Sequence, residues 1–263
     1  MSRPGYQNGL RILAALSCLA ISHGASAETN DAQARRLLKA MSDYMGQQPG
    51  IEAEIDTAVE IITPQIEKLS FNSSSKLTMA RPNKVRLERV GGFASLDMIF
   101  DGANLTIRDR LDNSYGQVPI KGSIDNLVDE VTDKLGMATP GIDLMLADSY
   151  SALIADVIEA KYIGDSMVQG ERCDHLAFRN DDVDWQIWIR KGAEKFPCKM
   201  VITTKTMAQA PQYTTTIRSM RTNAKIAAAS FAFTPAVGER RVEYGKLSVD
   251  EIPQSEPAKV EKK

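Results

Sequence analysis

Residues 171–189 read ERCDHLAFRNDDVDWQIWI, and side-chain type alternates along both halves of this stretch. Because successive residues of a strand point to opposite faces of a sheet, a period of two predicts two strands, each with one apolar face. Between them lies Arg-Asn-Asp-Asp at 179–182, whose Asn and Asp residues favour a tight turn. The stretch is therefore predicted to be an antiparallel hairpin. Its candidate core or cavity residues are Trp185, Ile187 and Ile189.

The same stretch contains Cys173, His175 and four aspartates, so catalytic and metal-binding roles have to be considered. Beyond the first 27 residues His175 is the only histidine, and Cys173 lies near it on the same strand without forming a positioned pair. Zinc sites use three or four Cys or His ligands, and a calcium loop needs a spacing that these aspartates lack. We expect no catalytic residue, no metal and no cofactor. We expect His175 to bond a neighbouring strand instead.

The sequence leaves open whether Cys173 and Cys198 form a disulfide. If the predicted strands 172–179, 183–191 and 198–206 form a meander, the two cysteines lie two strands apart, at about 9 to 10 Å for normal strand spacing. A disulfide tolerates Cα separations up to roughly 7 Å. A bridge would therefore need strong curl or an altered register.

The chain begins with the pattern of an export signal: two arginines, an apolar run at 12–21 and Ala-Ser-Ala at 25–27. We expect residues 1–27 to be a signal peptide, cleaved near Ala27/Glu28, and the mature protein to be periplasmic. The apolar run is about half of the roughly 20 residues that span a membrane, so we do not expect a membrane-spanning mature protein.

Net charge argues against one class of partner, and chain length and composition predict the domain organisation. Without the two arginines of the leader, the 32 basic residues fall to 30 against 34 acidic ones, a formal charge of −4. We expect no nucleic-acid partner, because such a surface needs a clustered basic excess. Residues 28–247 are predicted to form a single domain, since no linker divides them. Residues 248–263, with two prolines and alternating Lys and Glu, are predicted to be a disordered tail.

Strands dominate the rest of the chain. An amphipathic helix is predicted at 31–46, with Asn30 or Asp31 as its N-cap and Gly46 as its end. The strand candidates are 51–62, 66–79, 84–90, 94–100, 104–109 and 113–118, then 160–169, 172–179, 183–191, 198–206 and 212–220, with a short last strand near 228–233. This order predicts a mainly β (α+β) fold: a strongly curved antiparallel sheet or unclosed β-barrel of about 10 to 11 strands, capped by helices.

A helical insert at 119–159 separates the two groups of strands. Its first helix is predicted to start at the N-cap Ser123 and to end at Gly136, and a second helical stretch is predicted at 142–158. The apolar faces of these helices need a cover, and the nearest available surface is the sheet. We therefore expect the insert to lie over the sheet as a lid.

Several stretches in this order resemble one known family. They are RPNKVRLER at 81–89, FDGANLTIRDRLDNSYGQVPI at 100–120, HLAFRNDDVDWQIWI at 175–189 and FAFTPAVG at 231–238. Together they resemble the periplasmic lipoprotein carriers of the LolA/LolB-like superfamily, and within it the predicted periplasmic proteins of domain-of-unknown-function family 2092. The resemblance covers nearly all of residues 30–245.

The resemblance implies an unclosed β-barrel whose apolar concave face is capped by helices and holds lipid acyl chains in the carriers. In that family an arginine just before a proline helps to keep the helical lid closed. The matching residue here is Arg81, before Pro82. Arg81 is therefore the candidate for lid closure.

Two functions follow as hypotheses. The first is a non-enzymatic binding or carrier protein for a hydrophobic ligand, such as a lipid or lipoprotein acyl chain, held between the concave sheet and the insert. The insert residues predicted to contact the ligand are Leu127, Val131, Leu135, Leu144 and Leu146. The alternative is a cell-envelope interaction or sensor protein, with an envelope protein partner, a helix-filled barrel and no lipid ligand. A continuous apolar void above about 300 Å³ would favour the first hypothesis.

Overall fold

The structure, a computed structural model, describes residues 28–134 and 141–247. Helix α1, Asn30–Gly46, opens this part of the chain, and twelve strands of it form a single sheet. The first six strands are β1 (Gly50–Ile62), β2 (Lys68–Ala80), β3 (Lys84–Gly91), β4 (Ser95–Phe100), β5 (Asn104–Asp109) and β6 (Ser114–Pro119). The other six are β7 (Glu159–Val168), β8 (Glu171–Arg179), β9 (Val183–Arg190), β10 (Pro197–Thr204), β11 (Gln212–Thr222) and β12 (Arg240–Arg241).

The sheet is unclosed. Its strand order is β12-β6-β5-β4-β3-β2-β1-β11-β10-β9-β8-β7, so β12 and β7 are its two edges. Every pairing is antiparallel except the short parallel pairing of β12 with β6. The pairing of β1 with β11 joins the two groups of strands at the centre of the sheet. The predicted curved, largely antiparallel sheet is confirmed, with one two-residue strand more than expected.

One face of the sheet is concave and apolar, because inward positions recur at every second residue of each strand. Across the central strands, Ile51 pairs with Met79, and Met79 pairs with Val85. All three side chains are buried and belong to one hydrophobic cluster. On the far side of β1 the same cluster continues through Met200 and Ile187. The concave face is thus a single apolar surface that spans both groups of strands.

Helix α1 covers one part of this surface. Its buried stripe contains Ala34, Leu37, Leu38 and Met41 at helical spacing and packs on β7, β8 and β9. The prediction of the helix is confirmed. The predicted N-cap is wrong by one residue, since the hydroxyl of Thr29 accepts the hydrogen bond from the backbone N–H of Ala32.

Asn30 and Asp31 do not cap the helix because they bind β7. The side chain of Asn30 donates to the carbonyl of Tyr162 at 2.7 Å and accepts from the Tyr162 N–H at 2.9 Å. The carboxylate of Asp31 accepts from the N–H of Ala160 at 3.2 Å. These three bonds fix the start of α1 on the edge strand.

The helical insert consists of shorter pieces than predicted. Helix α2, Ile124–Asp129, begins at the predicted N-cap Ser123 and continues as a π-helical turn over Glu130–Lys134. Gly136, the predicted end, lies outside the described residues. In place of one helix at 142–158, the chain forms a 3₁₀ turn at Ile142–Met145 and helix α3 at Ser149–Ile154.

The break between the 3₁₀ turn and α3 has an identifiable cause. Leu146 adopts an extended conformation, and the N–H of Ala147 donates to the carboxylate of Asp125 on α2 at 3.0 Å. Asp148 then caps α3 by accepting from the N–H of Ser151 at 3.1 Å. A long-range hydrogen bond and a new N-cap therefore divide the predicted helix.

The strand predicted near 228–233 is wrong. Ala228–Phe231 forms a 3₁₀ turn, and Phe231 is buried. The segment cannot form a hairpin with β11, which precedes it, because β11 is already paired on both sides, with β1 and with β10. The final strand is instead β12, which adds to β6.

Cys173 and Cys198 form a disulfide, with a Cα separation of 7.1 Å. Cys173 lies on β8 and Cys198 on β10, two strands apart as predicted. The pairing of β9 with β10 is irregular between Pro197 and Lys199, so Cys198 lies in a bulge. The altered register brings the cysteines closer than a regular ladder would allow.

Candidate ligand-binding site

Different elements cover the two halves of the concave face. In the half formed by β7–β10, Trp185, Ile187 and Ile189 are buried beneath α1, and Trp185 stacks on Phe178 with ring centroids 4.0 Å apart. The indole N–H of Trp185 donates to the side chain of Asn180 at 3.2 Å. This half is filled by its own side chains and by the helix. We call it the closed half.

The other half, which we call the hollow half, contains a cavity of about 180 Å³. Strands β1–β5 and β11 form most of its floor, and Ile124–Lys134 and Ile142–Met145, called here the lid segments, form its roof. Pro197 at the start of β10 and Met45 near the end of α1 also line it, where the two halves meet. The lining side chains on the strands are mostly aliphatic. The apolar ones on β1–β5 and β11 are Ile51, Ile55, Leu77, Met79, Val85, Leu87, Leu96, Met98, Ile107, Ile217 and Met220.

The predicted insert residues divide between roof and surroundings. Leu127, Val131 and Leu144 line the cavity from above. Leu146 follows the 3₁₀ turn and is half-buried outside the lining. Leu135 lies outside the described residues. The structure thus brings three of the five predicted insert residues to one cavity.

Trp185, Ile187 and Ile189, expected as core or cavity residues, belong to the core. They do not line the cavity, since α1 occupies the space above them. The actual floor consists mainly of inward positions on β1–β5 and β11, which sequence reasoning did not single out. The signal was present, because IEAEIDTAVEII at 51–62 alternates regularly. The alternation does not indicate which half of the concave face a helix would fill.

One end of the cavity lining is polar. Thr57 and Ser75 are buried there, and the half-buried Arg89 lies on the neighbouring strand, opposite Ser75. Tyr213 and Thr215 of β11 continue the lining on the other side of β1. The sequence signal for this end is a set of hydroxyl side chains at inward positions of otherwise apolar strands. It was not recognised as a site.

Arg81 connects the sheet to the roof. Its guanidinium donates to the carbonyl of Met145 at 3.0 Å and to that of Leu146 at 3.3 Å. The next residue, Pro82, accepts from the N–H of Ile124 at 2.8 Å. Burial lowers the pKa of Arg81 below its usual value, and the nearby carboxylate of Asp125 offsets part of this change. Both lid segments are therefore tethered at the same point of the sheet.

Asp143 occupies the 3₁₀ turn of the roof. Burial raises the pKa of its carboxyl group above the ordinary value. The carboxylate of Asp148, by contrast, is exposed and accepts bonds from Ser151, which lower its pKa. The pKa values of these two carboxyl groups, only five residues apart, are thus shifted in opposite directions. Ionisation of Asp143 disfavours the packed roof.

The side chains of the stretch at 171–189 make contacts within the hairpin. His175 stacks on Trp188 with ring centroids 4.2 Å apart, and its Nε2 is 2.9 Å from the side-chain oxygen of Gln186 on β9. The turn is closed by the N–H of Asn180, which donates to the carbonyl of Val183 at 2.9 Å. The predicted hairpin and the predicted bond of His175 to a neighbouring strand are confirmed.

Over residues 28–134 and 141–247, no group of three or more His, Cys, Asp or Glu side chains is arranged to hold a metal ion. Within the same ranges, no helix combines the length and the apolar character that crossing a membrane requires.

Comparison with known proteins identifies the family. The family described as "Predicted periplasmic protein (DUF2092)" matches residues 34–244, most of the chain. The chain belongs to this family. The predicted resemblance to family 2092 is thereby confirmed, while no curated protein matches the sequence.

Solved structures similar to this DUF2092 protein share little sequence with it. An uncharacterized conserved protein from Thermus thermophilus aligns with 10% identity and a TM-score of 0.49, over 80% of this chain and 99% of that one. MucB in the MucA/MucB complex of Pseudomonas aeruginosa aligns with 14% identity and a TM-score of 0.43, over 77% of this chain and 62% of that one. The Mycobacterium tuberculosis lipoprotein LppX aligns with 10% identity and a TM-score of 0.40, over 75% and 99%.

Proposed function

We propose that this DUF2092 protein is a periplasmic, non-enzymatic binding or carrier protein. Its hydrophobic ligand, a lipid or lipoprotein acyl chain, lies between the concave sheet and the lid segments. The observation that carries this proposal is the cavity of the hollow half, which is lined mainly by aliphatic side chains. Apolar contact contributes about 25 cal/mol per Å², so such a lining supplies affinity without a polar anchor.

The chemistry of the lining supports a binding role. Arg89 and Tyr213 are the titratable residues among the described lining positions. Hydrolysis or group transfer generally uses a carboxylate, an imidazole or a thiol, often in pairs. The lining therefore favours holding an apolar molecule over converting it.

The disulfide supports the proposed periplasmic location. Disulfides persist in oxidising environments such as the bacterial periplasm and are rare in the cytosol. The bridge between Cys173 and Cys198 therefore agrees with the family description as periplasmic. The signal peptide at residues 1–27, with cleavage near Ala27/Glu28, remains part of this proposal.

The size of the cavity suggests how loading would occur. Pockets for small-molecule ligands occupy about 300 to 1,000 Å³. This cavity measures about 180 Å³, so in this conformation it does not reach the void above about 300 Å³ that would by itself favour ligand binding. In the conformation described here it has room for part of an acyl chain. A complete chain would enter by displacing the lid segments, whose tether is Arg81. Release of the Arg81 hydrogen bonds is thus the proposed opening step.

Blocking the cavity tests the proposal. Leu87→Trp places a large side chain on the cavity floor, whereas Val90→Trp places it on the outer face of the same strand, where Val90 is exposed. The three proteins would be purified from the periplasm, and organic extracts analysed by mass spectrometry. We expect one lipid class to co-purify with the unmodified protein and with Val90→Trp, and to be depleted in Leu87→Trp. A reproducibly empty unmodified protein would refute the proposal.

A second candidate function is interaction with an envelope protein, and the edge strand β7 favours it. Ile163 and Met167 on this strand are more than half exposed, and an extended peptide can pair with a sheet edge. Asn30 and Asp31 already bond the backbone at Tyr162 and Ala160, so such a peptide would pair with the strand beyond Tyr162. Against it, the pairing of β7 with β8 is irregular between Tyr162 and Gly164, and bulges protect edges from such pairing. Photo-cross-linking in cells from position 163 tests this function, and we expect one dominant protein partner if it holds.

A further inference from the structure

A band of polar side chains crosses the concave face at one end of the cavity. In the strand register, Thr57 lies opposite Ser73 on one side and Thr215 on the other, and Ser75 lies opposite Arg89. Toward the lid tether, the same strands present Ile51, Met79 and Val85. The floor therefore changes from aliphatic to polar along the strand direction. We call Thr57, Ser73, Ser75 and Arg89 the polar band.

Arg89 lies where two cavities meet. It lines the apolar cavity together with Thr57 and Ser75, and it also lines a second cavity of about 400 Å³ beside it. Ser73, Phe93 and the backbone at Gly91 and Gly92 are among the other walls of this second cavity. A Cβ at Gly92 would meet no atom within 4 Å, whereas one at Gly91 would meet the Cβ of Ser73 at 3.2 Å. The open space beside the band is therefore at Gly92, within the second cavity that Arg89 lines.

Ser73 provides an independent sign of a ligand. Its hydroxyl oxygen is buried and has no hydrogen-bond partner among the described residues. A buried hydroxyl without a partner is destabilising, and native structures contain few such groups. Because Ser73 belongs to the polar band, an oxygen-rich group bound there would satisfy it.

We propose that the ligand is a single-chain amphiphile with an anionic head group. Its acyl chain lies in the apolar cavity under Leu127 and Val131, and its head group binds Arg89 and the hydroxyls of the polar band. An arginine binds a carboxylate or phosphate through paired N–H donors, and a water-poor site strengthens these bonds. This inference rests on the proposed hydrophobic-ligand function, and it specifies the ligand class.

Twelve-carbon probes with different head groups test the head-group preference separately from hydrophobic binding. Isothermal titration calorimetry would be run with dodecanoate, dodecan-1-ol and dodecyltrimethylammonium on the delipidated protein. We expect dodecanoate to bind about tenfold or more tightly than dodecan-1-ol, the factor that one charge-assisted hydrogen bond supplies. Dodecyltrimethylammonium is expected to bind most weakly. Dodecyl phosphate, tested in parallel, distinguishes a phosphate preference from a carboxylate preference.

Variants assign the preference to the polar band. Arg89→Gln is expected to reduce the preference for dodecanoate to about threefold or less while dodecan-1-ol affinity is retained. Arg89→Lys should restore part of the preference, because it keeps the charge without the planar fork. Arg86→Gln, on the outer face of the same strand, is the matched control and should leave it unchanged. Ser73→Ala should weaken dodecanoate binding by a smaller factor.

The possible failures are distinct. If dodecan-1-ol binds as well as dodecanoate and a Leu127→Ala variant weakens both, the anionic head group is refuted and the hydrophobic site survives. If none of the four probes binds, the proposed function fails together with the inference. Should Arg89→Gln not fold, as judged by circular dichroism, the preference of the unmodified protein and the effects of Arg89→Lys and Ser73→Ala still decide the question.

Discussion

The closed half and the hollow half of the concave face have the same strand alternation and differ in what covers them. Over the closed half lies the 17-residue helix α1, whose continuous apolar stripe fills the space above Ile187. Over the hollow half lie the two lid segments, a six-residue helix continued by a five-residue π-helical turn and a separate four-residue 3₁₀ turn. Hydrogen bonds to Arg81 and Pro82 hold them. Because short, broken helices cannot present one continuous ridge, a cavity remains below them. The cover, and not the sheet, determines where a ligand has room.

The largest expected effect concerns packing in the closed half. Ile187→Ala is expected to lower the free energy of unfolding by about 2 to 5 kcal/mol, because Ile187 is fully buried and the site cannot collapse. Leu87→Ala in the hollow half should cost less than about 2 kcal/mol, since its half-buried side chain already faces a void. Urea denaturation monitored by circular dichroism measures both values. If both substitutions lowered the free energy of unfolding equally, the closed and hollow halves would not differ in packing energy.

Next in size is the effect of the disulfide. Replacing both Cys173 and Cys198 by Ala is expected to lower the free energy of unfolding by roughly 3 kcal/mol, because a bridge across 25 residues restricts the unfolded chain. The loss of stability should be confined to the closed half, and binding of dodecanoate should persist. Hydrogen exchange measured by mass spectrometry locates the change. Faster exchange in the lid segments alone would contradict this assignment.

The third prediction concerns the tether of the roof. Arg81→Gln removes the donors that the carbonyls of Met145 and Leu146 accept, so we expect exchange in residues 141–147 to accelerate about tenfold or more. The global free energy of unfolding should change less than for Ile187→Ala. Arg35→Gln is the control, because Arg35 forms an exposed ion pair with Asp31 on α1. A similar acceleration in both variants would argue against a specific tether.

The smallest effect is a pH dependence of the roof. Since burial raises the folded-state pKa of Asp143, the folded protein holds this proton more tightly than the unfolded chain. Stability therefore falls as pH rises from the ordinary carboxyl pKa through the raised value, and it stays reduced at neutral pH. Asp143→Asn should slow exchange in the lid segments at neutral pH and have no effect below that window.

Asp148 is a control for which the expected pH dependence of stability has the opposite sign. Its folded-state pKa is lowered by the bonds from Ser151, so its contribution is present above the ordinary carboxyl pKa and is lost as pH falls through the lowered value. Asp148→Asn should accelerate exchange at the start of α3 at neutral pH. The same direction of change in both variants would show that the two carboxylates do not differ as described.

Local patterns accounted for much of the fold. The alternation of 171–189 predicted β8, β9 and their turn, and the apolar spacing of 31–46 predicted α1. Errors occurred where a distant partner competes for a local group. Asn30 was expected to cap α1 and instead binds Tyr162 on β7. The segment near 228–233 has strand composition, but β11, which precedes it, is already paired on both sides.

The candidate site was predicted only in part. Leu127, Val131 and Leu144 were found because amphipathic helices must cover a sheet, and all three line the cavity. The polar band was missed, since each of its residues resembles an ordinary strand residue when seen alone. Only the register places Ser73, Ser75 and Arg89 next to one another.

The sequence by itself determined the elements: the periods of two and 3.6, the turn at 179–182 and the N-cap at Ser123 all follow from neighbouring residues. Only the tertiary structure decided that α1 fills the space above β7–β9, that a bulge at Cys198 permits the disulfide and that a cavity remains under the lid segments. The physical reason is that these features depend on contacts between residues far apart in the chain. Periodicity within a segment specifies which face is apolar, but it does not specify what will cover that face.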